Sequence, residues 1–191
     1  LIHGRKDDNV RLNIEAKLDP NRKHLTAKPA VFARSLLELL DANNMTARAA
    51  LQSFDWRVQA CVLALNEQET TRFPSEQHGQ LNTVVDRDSQ PSPWTNGMLV
   101  ADFQGSVPRM VKAAGGRIWS PNFQSLDEQR LREAQSLGLR VIVWTVNDVA
   151  DIKRMIDMGV DGVISDYPDR VRDIASKSGL PVPTPTQRSQ A

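Results

Sequence analysis

Residues Arg140–Arg170 read RVIVWTVNDVADIKRMIDMGVDGVISDYPDR. Val141–Val146 is an apolar, β-branched run of the kind a buried strand needs. Asn147 stops that run and is placed to cap a helix, with Asp148 and Asp151 in a first turn where the helix dipole favours anions. Ile152, Met155 and Ile156 recur at helical spacing, and Gly159 stands where a helix end calls for positive φ. Gly162–Ser165 is the next strand, broken by Asp166-Tyr167-Pro168. From Val141 to Gly162 is 21 residues. A strand–helix–strand unit of this kind pairs in parallel through a right-handed crossover.

The same alternation extends back along the chain. Arg11–Lys17 (RLNIEAK) switches face at every residue, with Leu12, Ile14 and Ala16 on one side and Asn13, Glu15 and Lys17 on the other. In a barrel the apolar set lies under the helices and the polar set faces the barrel mouth. Pro29 suits a first helical turn, and Phe32, Leu36, Leu39 and Leu40 form the stripe of that helix. Ala49–Phe54 reads as a strand and Trp56–Leu65 as a helix. Thr70–Thr95 is mostly polar, with a short strand expected at Arg72-Phe73-Pro74 and a long loop after it; loops of that length in compact domains are functional or mobile. Val107–Ala114 is a short helix and Arg117–Ser120 a strand. Ser125-Leu126-Asp127-Glu128 reads as a capping box for a helix bearing Leu131, Ala134 and Leu137 and ending at Gly138. Asp169–Ser176 is a last helix.

About six strand–helix units in strict alternation imply an α/β fold with a parallel sheet. An eight-stranded α/β barrel takes about 250 residues, and the chain has 191. The simplest account is a parallel (β/α)8 TIM barrel, N-terminally incomplete in this chain. Its strands three to eight would lie in residues 1–176, followed by a disordered tail, 177–191, rich in Pro, Thr and Gln. An open doubly wound sheet is the alternative, but no Gly-rich turn follows an early strand, so a nucleotide site has no support.

Composition is that of a globular domain, 40% hydrophobic and 25% charged. A formal net charge of +1 gives no electrostatic reason to expect nucleic acid or an anionic membrane as partner. No apolar run approaches the roughly 20 residues of a membrane span, so no stable membrane insertion is expected. One cysteine, Cys61, excludes an internal disulfide; at helical spacing from Val58 and Leu65 it reads as a small buried residue. The first residue is Leu, so the chain reads as part of a longer product, whose targeting signals are left open.

WTVND (144–148) followed by GVDGVISDYPDR (159–170) resembles the C-terminal signature of the glycerophosphodiester phosphodiesterases. LNIEAK (12–17) is similar to that family's third-strand pattern Asn-x-Glu-x-Lys, and LQSFDW (51–56) to its fourth-strand Gln-Ser-Phe-Asp. The resemblance implies that Glu15 ligates a divalent cation, Ca²⁺ or Mg²⁺, and that Lys17 contacts the phosphate. Spacing alone would leave both as ordinary residues of a half-exposed strand. Gln52 and Phe54 share a face, and the resemblance implies that they line the pocket; core packing plus a turn is the alternative, an equal one for Phe54. Trp144 at a strand end packs against a glycerol moiety or is a structural Trp. Trp119, Ser120, Pro121 and Asn122 resemble the sixth-strand segment, so Asn122 is a pocket-edge candidate. Asp166 is a further pocket candidate; capping of the last helix is its expected role, with a hydrogen bond to a strand end as the alternative.

The family implies hydrolysis of a small glycerophosphodiester to glycerol 3-phosphate and an alcohol, within lipid and glycerol metabolism. It also implies two catalytic histidines, in His-Arg and His-Asp pairs, and a Glu-x-Asp that adds metal ligands. None of these motifs occurs in residues 1–191; His3, His24 and His78 all sit in polar surroundings and read as surface residues. The fragment itself is therefore expected to be inactive, and to associate through unpaired sheet edges. The alternative is a non-catalytic barrel module or partner-binding piece. A phosphate-handling isomerase or aldolase is disfavoured, because the strand exit Val146-Asn147-Asp148 is acidic and lacks glycine. A periplasmic or secreted parent is favoured slightly, and oligomeric state is left open.

Overall fold

The structure, a computed structural model, describes residues 10–68, 78–81 and 92–184. Among the described residues, strands and α-helices alternate: β1 (Leu12–Glu15), α1 (Pro29–Ala42), β2 (Ala49–Ser53), α2 (Trp56–Gln68), β3 (His78–Leu81), α3 (Val107–Ala113), β4 (Ile118–Trp119), α4 (Glu128–Ser136), β5 (Arg140–Val143), α5 (Val149–Met158), β6 (Gly162–Val163) and α6 (Pro168–Lys177). All the pairings are parallel and the strands lie side by side in chain order, β1 to β6.

The register follows the alternation of β1. Leu12 pairs with Ala49 and Glu15 with Gln52. Leu12, Ile14 and Ala16 pack beneath α1 and α2 with Ala49, Leu51, Leu37 and Val62. A second apolar cluster lies on the helix side of β4 and β5, where Trp119, Val141 and Val143 meet Met110, Leu131, Ile152 and Met155 from α3, α4 and α5. The opposite face carries the alternate residues, Asn13 and Glu15 of β1 and Ile142 of β5 among them.

That opposite face is concave. Three steps separate β2 from β5 in the sheet, which on a flat sheet would be about 14 Å. Yet the rings of Phe54, just past β2, and Trp144, just past β5, meet edge to face with centroids 5.6 Å apart. At the other end of the strands, Arg11 and Asn13 of the β1 segment line one cavity of about 210 Å³ together with Ile118, Arg140 and Ile142. Both observations require the sheet to curl. In the described sheet β1 and β6 are the outermost strands.

Several local expectations are corrected. Strand β3 falls at His78–Leu81, inside the stretch expected to be loop; the strand expected at Arg72-Phe73-Pro74 lies outside the described residues. Leu40 is buried as expected, but Leu39 is 62% exposed, because α1 turns Ala33 and Leu37 inward beside Leu40. The first turn of α4 is capped by Asp127, whose carboxylate accepts from Arg130 N–H at 2.8 Å, not by the box at Ser125; residues Phe123–Ser125 form a 3-10 turn of their own, and Glu128 pairs with Arg132. Strand β5 stops at Val143, short of the expected Val146, and the Val146 side chain joins Val141 and Val143 in the helix-side core. Gly159 ends α5 at φ +85° as the sequence required.

Candidate functional site

Glu15 closes β1, and Ala16 beyond it is buried against the helices. Alternation therefore turns Glu15 and Lys17 to the concave face at the C-terminal end of the strand. The Glu15 side chain is 25% exposed and the Lys17 side chain 79%, and the ammonium stands 3.6 Å from the carboxylate. Across the ladder from Glu15, Gln52 is buried. The described sheet thus gathers Glu15, Lys17, Gln52, Phe54 and Trp144 at one end of one face.

Backbone supports hold this group. Beyond β2, Asp55 is fully buried and caps α2, accepting from Arg57 N–H at 3.1 Å. The Arg57 guanidinium also grips that carboxylate, with Nη2 to Oδ2 at 2.6 Å and Nε to Oδ1 at 2.9 Å. The hydrogen bonds to Asp55 push the Arg57 pKa up, against the opposing effect of burial. Nearby on α2, Cys61 is only half-buried rather than fully buried as expected, and that burial raises its thiol above the usual value, with the Asp55 charge adding to the effect. Trp144 donates its indole N–H to the Ser120 carbonyl at 2.8 Å, and its backbone bridges to Asn122. The Asn122 side chain accepts from Gln124 N–H at 2.9 Å, so its carboxamide oxygen caps the adjacent turn.

Neither Asp166 nor Asn147 caps a helix; Asp166 takes the alternative role, a hydrogen bond to a strand end. The N-cap of α6 is Tyr167, with no side-chain cap. Asp166 instead accepts from Asn147 Nδ2 at 2.9 Å, while Asn147 Oδ1 accepts from Asp166 N–H at 3.0 Å. Asn147 does not cap α5 either, since Asp148 is the N-cap residue there. Its carboxamide is a clamp between the exits of β5 and β6. Ser165 donates to the same oxygen at 3.2 Å. Arg170 donates to the Asn147 carbonyl at 3.1 Å and lies over the Tyr167 ring at 3.8 Å. A polar residue at a strand exit reads as a cap from sequence alone, because the partner 19 residues away is visible only in three dimensions.

A hard divalent cation takes roughly six to eight oxygen ligands. Glu15 offers one carboxylate, and among the described residues no group of three His, Cys, Asp or Glu side chains could hold an ion. Among the described residues, Glu15 could therefore supply at most one such ligand. His24 is exposed in the segment between β1 and α1; His3 lies outside the described residues, and of His78 only its place in β3 is described.

The model of the glycerophosphoryl diester phosphodiesterase family matches residues 3–170. The chain belongs to this family. A glycerophosphodiester phosphodiesterase of Bacillus subtilis (strain 168) is 41% identical over 49 residues, covering 26% of this chain and 17% of that protein. A protein provisionally named glycerophosphoryl diester phosphodiesterase, from Silicibacter pomeroyi DSS-3, has a solved structure that superposes with a TM-score of 0.71 at 29% identity, covering 93% of this chain and 54% of that one. An Oleispira antarctica phosphodiesterase, solved in complex with the product sn-glycerol-3-phosphate, shares the fold at a TM-score of 0.58 and 16% identity, covering 87% of this chain and 55% of that one. The chain thus spans little more than half the length of these two solved proteins, and the alignment with the Bacillus protein covers a much smaller share.

Proposed function

We propose that the protein hydrolyses glycerophosphodiesters to sn-glycerol 3-phosphate and a free alcohol, with a divalent cation, Ca²⁺ or Mg²⁺, as cofactor. The observation that carries this reading is the pairing of Glu15 and Lys17 on the concave face, 3.6 Å apart, beside the aromatic bridge of Phe54 and Trp144. Family membership supports it, as does the product found in the Oleispira relative. Glu15 would be one oxygen ligand of the cation, the remainder coming from outside the described residues. When bound, the cation would lower the charge on the phosphodiester. Lys17 would take one phosphate oxygen as a point charge, Gln52 would hydrogen-bond the substrate, and the Trp144 and Phe54 rings would pack against its glycerol carbons. The curled sheet would belong to a closed eight-stranded barrel, with this group at the C-terminal face, where such barrels carry their sites.

Incubation of the full-length protein with glycerophosphocholine tests the reading. Release of choline and sn-glycerol 3-phosphate in equal amounts, stopped by chelator, is the expected result. No turnover, or release of inorganic phosphate or phosphocholine, would contradict it.

A second reading rests on the incomplete cation site. Assayed by itself, this chain would have no activity and would serve as a structural or partner-binding module. Chelator-sensitive turnover by residues 1–191 alone would exclude that reading.

A further inference from the structure

We propose that two buried serines, Ser53 and Ser120, are positioning residues of the mouth, each supplying a strand-end hydrogen bond that the backbone fails to make. The argument starts from ladder geometry. In a parallel pair, a residue whose N–H goes to position j−1 on its neighbour receives the N–H of position j+1 at its own carbonyl. Arg140 N–H donates to the Arg117 carbonyl at 3.0 Å, and Arg140 pairs with Ile118. Two residues on, Ile142 stands opposite Ser120, so its carbonyl is due the N–H of residue 121. Residue 121 is proline and has none. The Ser120 hydroxyl fills the gap, donating to the Ile142 carbonyl at 2.7 Å. The ladder then resumes: Trp144 N–H donates to the Pro121 carbonyl at 3.3 Å and Phe123 N–H to the Trp144 carbonyl at 3.2 Å.

The same substitution recurs at β1. Ala16 N–H donates to the Gln52 carbonyl at 2.8 Å, which sets Ala16 opposite Ser53 and makes Phe54 N–H the regular donor to the Ala16 carbonyl. The Ser53 hydroxyl donates there at 2.7 Å and itself accepts from Asp55 N–H at 3.0 Å. Both peptide planes of Ala16 are thereby held, and Ala16 is the residue between Glu15 and Lys17. Ser53 and Ser120 are both fully buried, so neither hydroxyl can be replaced by water without opening the sheet.

The two serines act on different parts of the mouth. Ser53 fixes the backbone that aims Glu15 and Lys17. Ser120 holds the last turns of the β5 ladder through its hydroxyl and the Trp144 indole through its carbonyl. The Trp144 ring then meets Phe54, the residue after Ser53.

This inference rests on the hydrolase reading, and its test separates the two. Kinetics of glycerophosphocholine hydrolysis by the full-length protein, with cation titration, are compared for Ser53→Ala, Ser120→Ala and the hydroxyl-keeping Ser53→Thr and Ser120→Thr. All are measured well below the lowest melting temperature. Ser53→Ala should lower kcat about tenfold and raise the cation concentration for half-activation, with KM within about twofold. Ser120→Ala should raise KM about fivefold with kcat near wild type. The threonine variants should recover most of each loss. If burial leaves no room for the threonine methyl at position 53, Ser53→Cys, similar in size but a weak donor, should behave like Ser53→Ala. Lowered melting temperatures with wild-type kinetic constants would overturn the proposal. If wild type does not hydrolyse the substrate, the hydrolase reading fails and hydrogen exchange decides: Ser53→Ala should speed exchange of the Ala16 amide and Ser120→Ala that of the Trp144 indole, and unchanged exchange at both overturns the proposal.

Discussion

At the scale of single residues, two features decide how robust the mouth is. The first is the Asp55–Arg57 pair. Asp55 is fully buried and its carboxylate is held by Arg57 through two nitrogens. Removing the guanidinium leaves a buried carboxylate without its counter-charge, so Arg57→Ala should cost roughly 3 kcal/mol in urea unfolding. A loss below about 1 kcal/mol would show that water reaches Asp55. The second is Cys61, whose thiol is raised by burial. A group with a raised folded pKa that is neutral when protonated contributes no pH dependence below its unfolded value. As pH rises above that value the unfolded thiol ionises first, and stability falls until the folded thiol also ionises. Iodoacetamide should therefore modify native Cys61 more slowly at pH 8 than the same thiol in urea, and equal rates would contradict its partial burial and raised pKa.

At the scale of elements, packing rather than propensity sets which side chains matter. Ile152 on α5 is fully buried, whereas Leu39 on α1 is 62% exposed. Ile152→Ala should destabilise by about 2–5 kcal/mol, and Leu39→Ala by less than about 0.5 kcal/mol, both read from urea midpoints at constant slope. The strictly alternating run of β1 and the strand–helix–strand unit at 140–170 were legible in the sequence because their faces are sorted by polarity. Leu39 was not, because four apolar residues at helical spacing leave the centre of the stripe undetermined by one position. Strand β3 was illegible for a different reason. His-Gly-Gln-Leu has no apolar alternation, and its extended form comes with ladder bonds to β2 and β4 on both sides. The Asn147–Asp166 clamp and the serine rungs depend on register between strands, which a single sequence does not display.

At the scale of the whole molecule, β1 and β6 are the outer strands of the described sheet. Unpaired edges invite pairing with another chain. Residues 1–191 alone should therefore associate in static light scattering, and a monodisperse monomer with a sharp thermal transition would contradict this. The curl of the sheet brings β2 and β5 side chains into contact at the mouth, and the functional account requires that Glu15 sit there beside a cation. Cation-titrated hydrolysis of glycerophosphocholine by the full-length protein, wild type against Glu15→Gln, tests this most directly. The account predicts that the amide, isosteric but uncharged, lowers kcat by about a hundredfold or more and shifts half-activation to higher Ca²⁺ or Mg²⁺. Equal rates and equal cation dependence in the two proteins would contradict it.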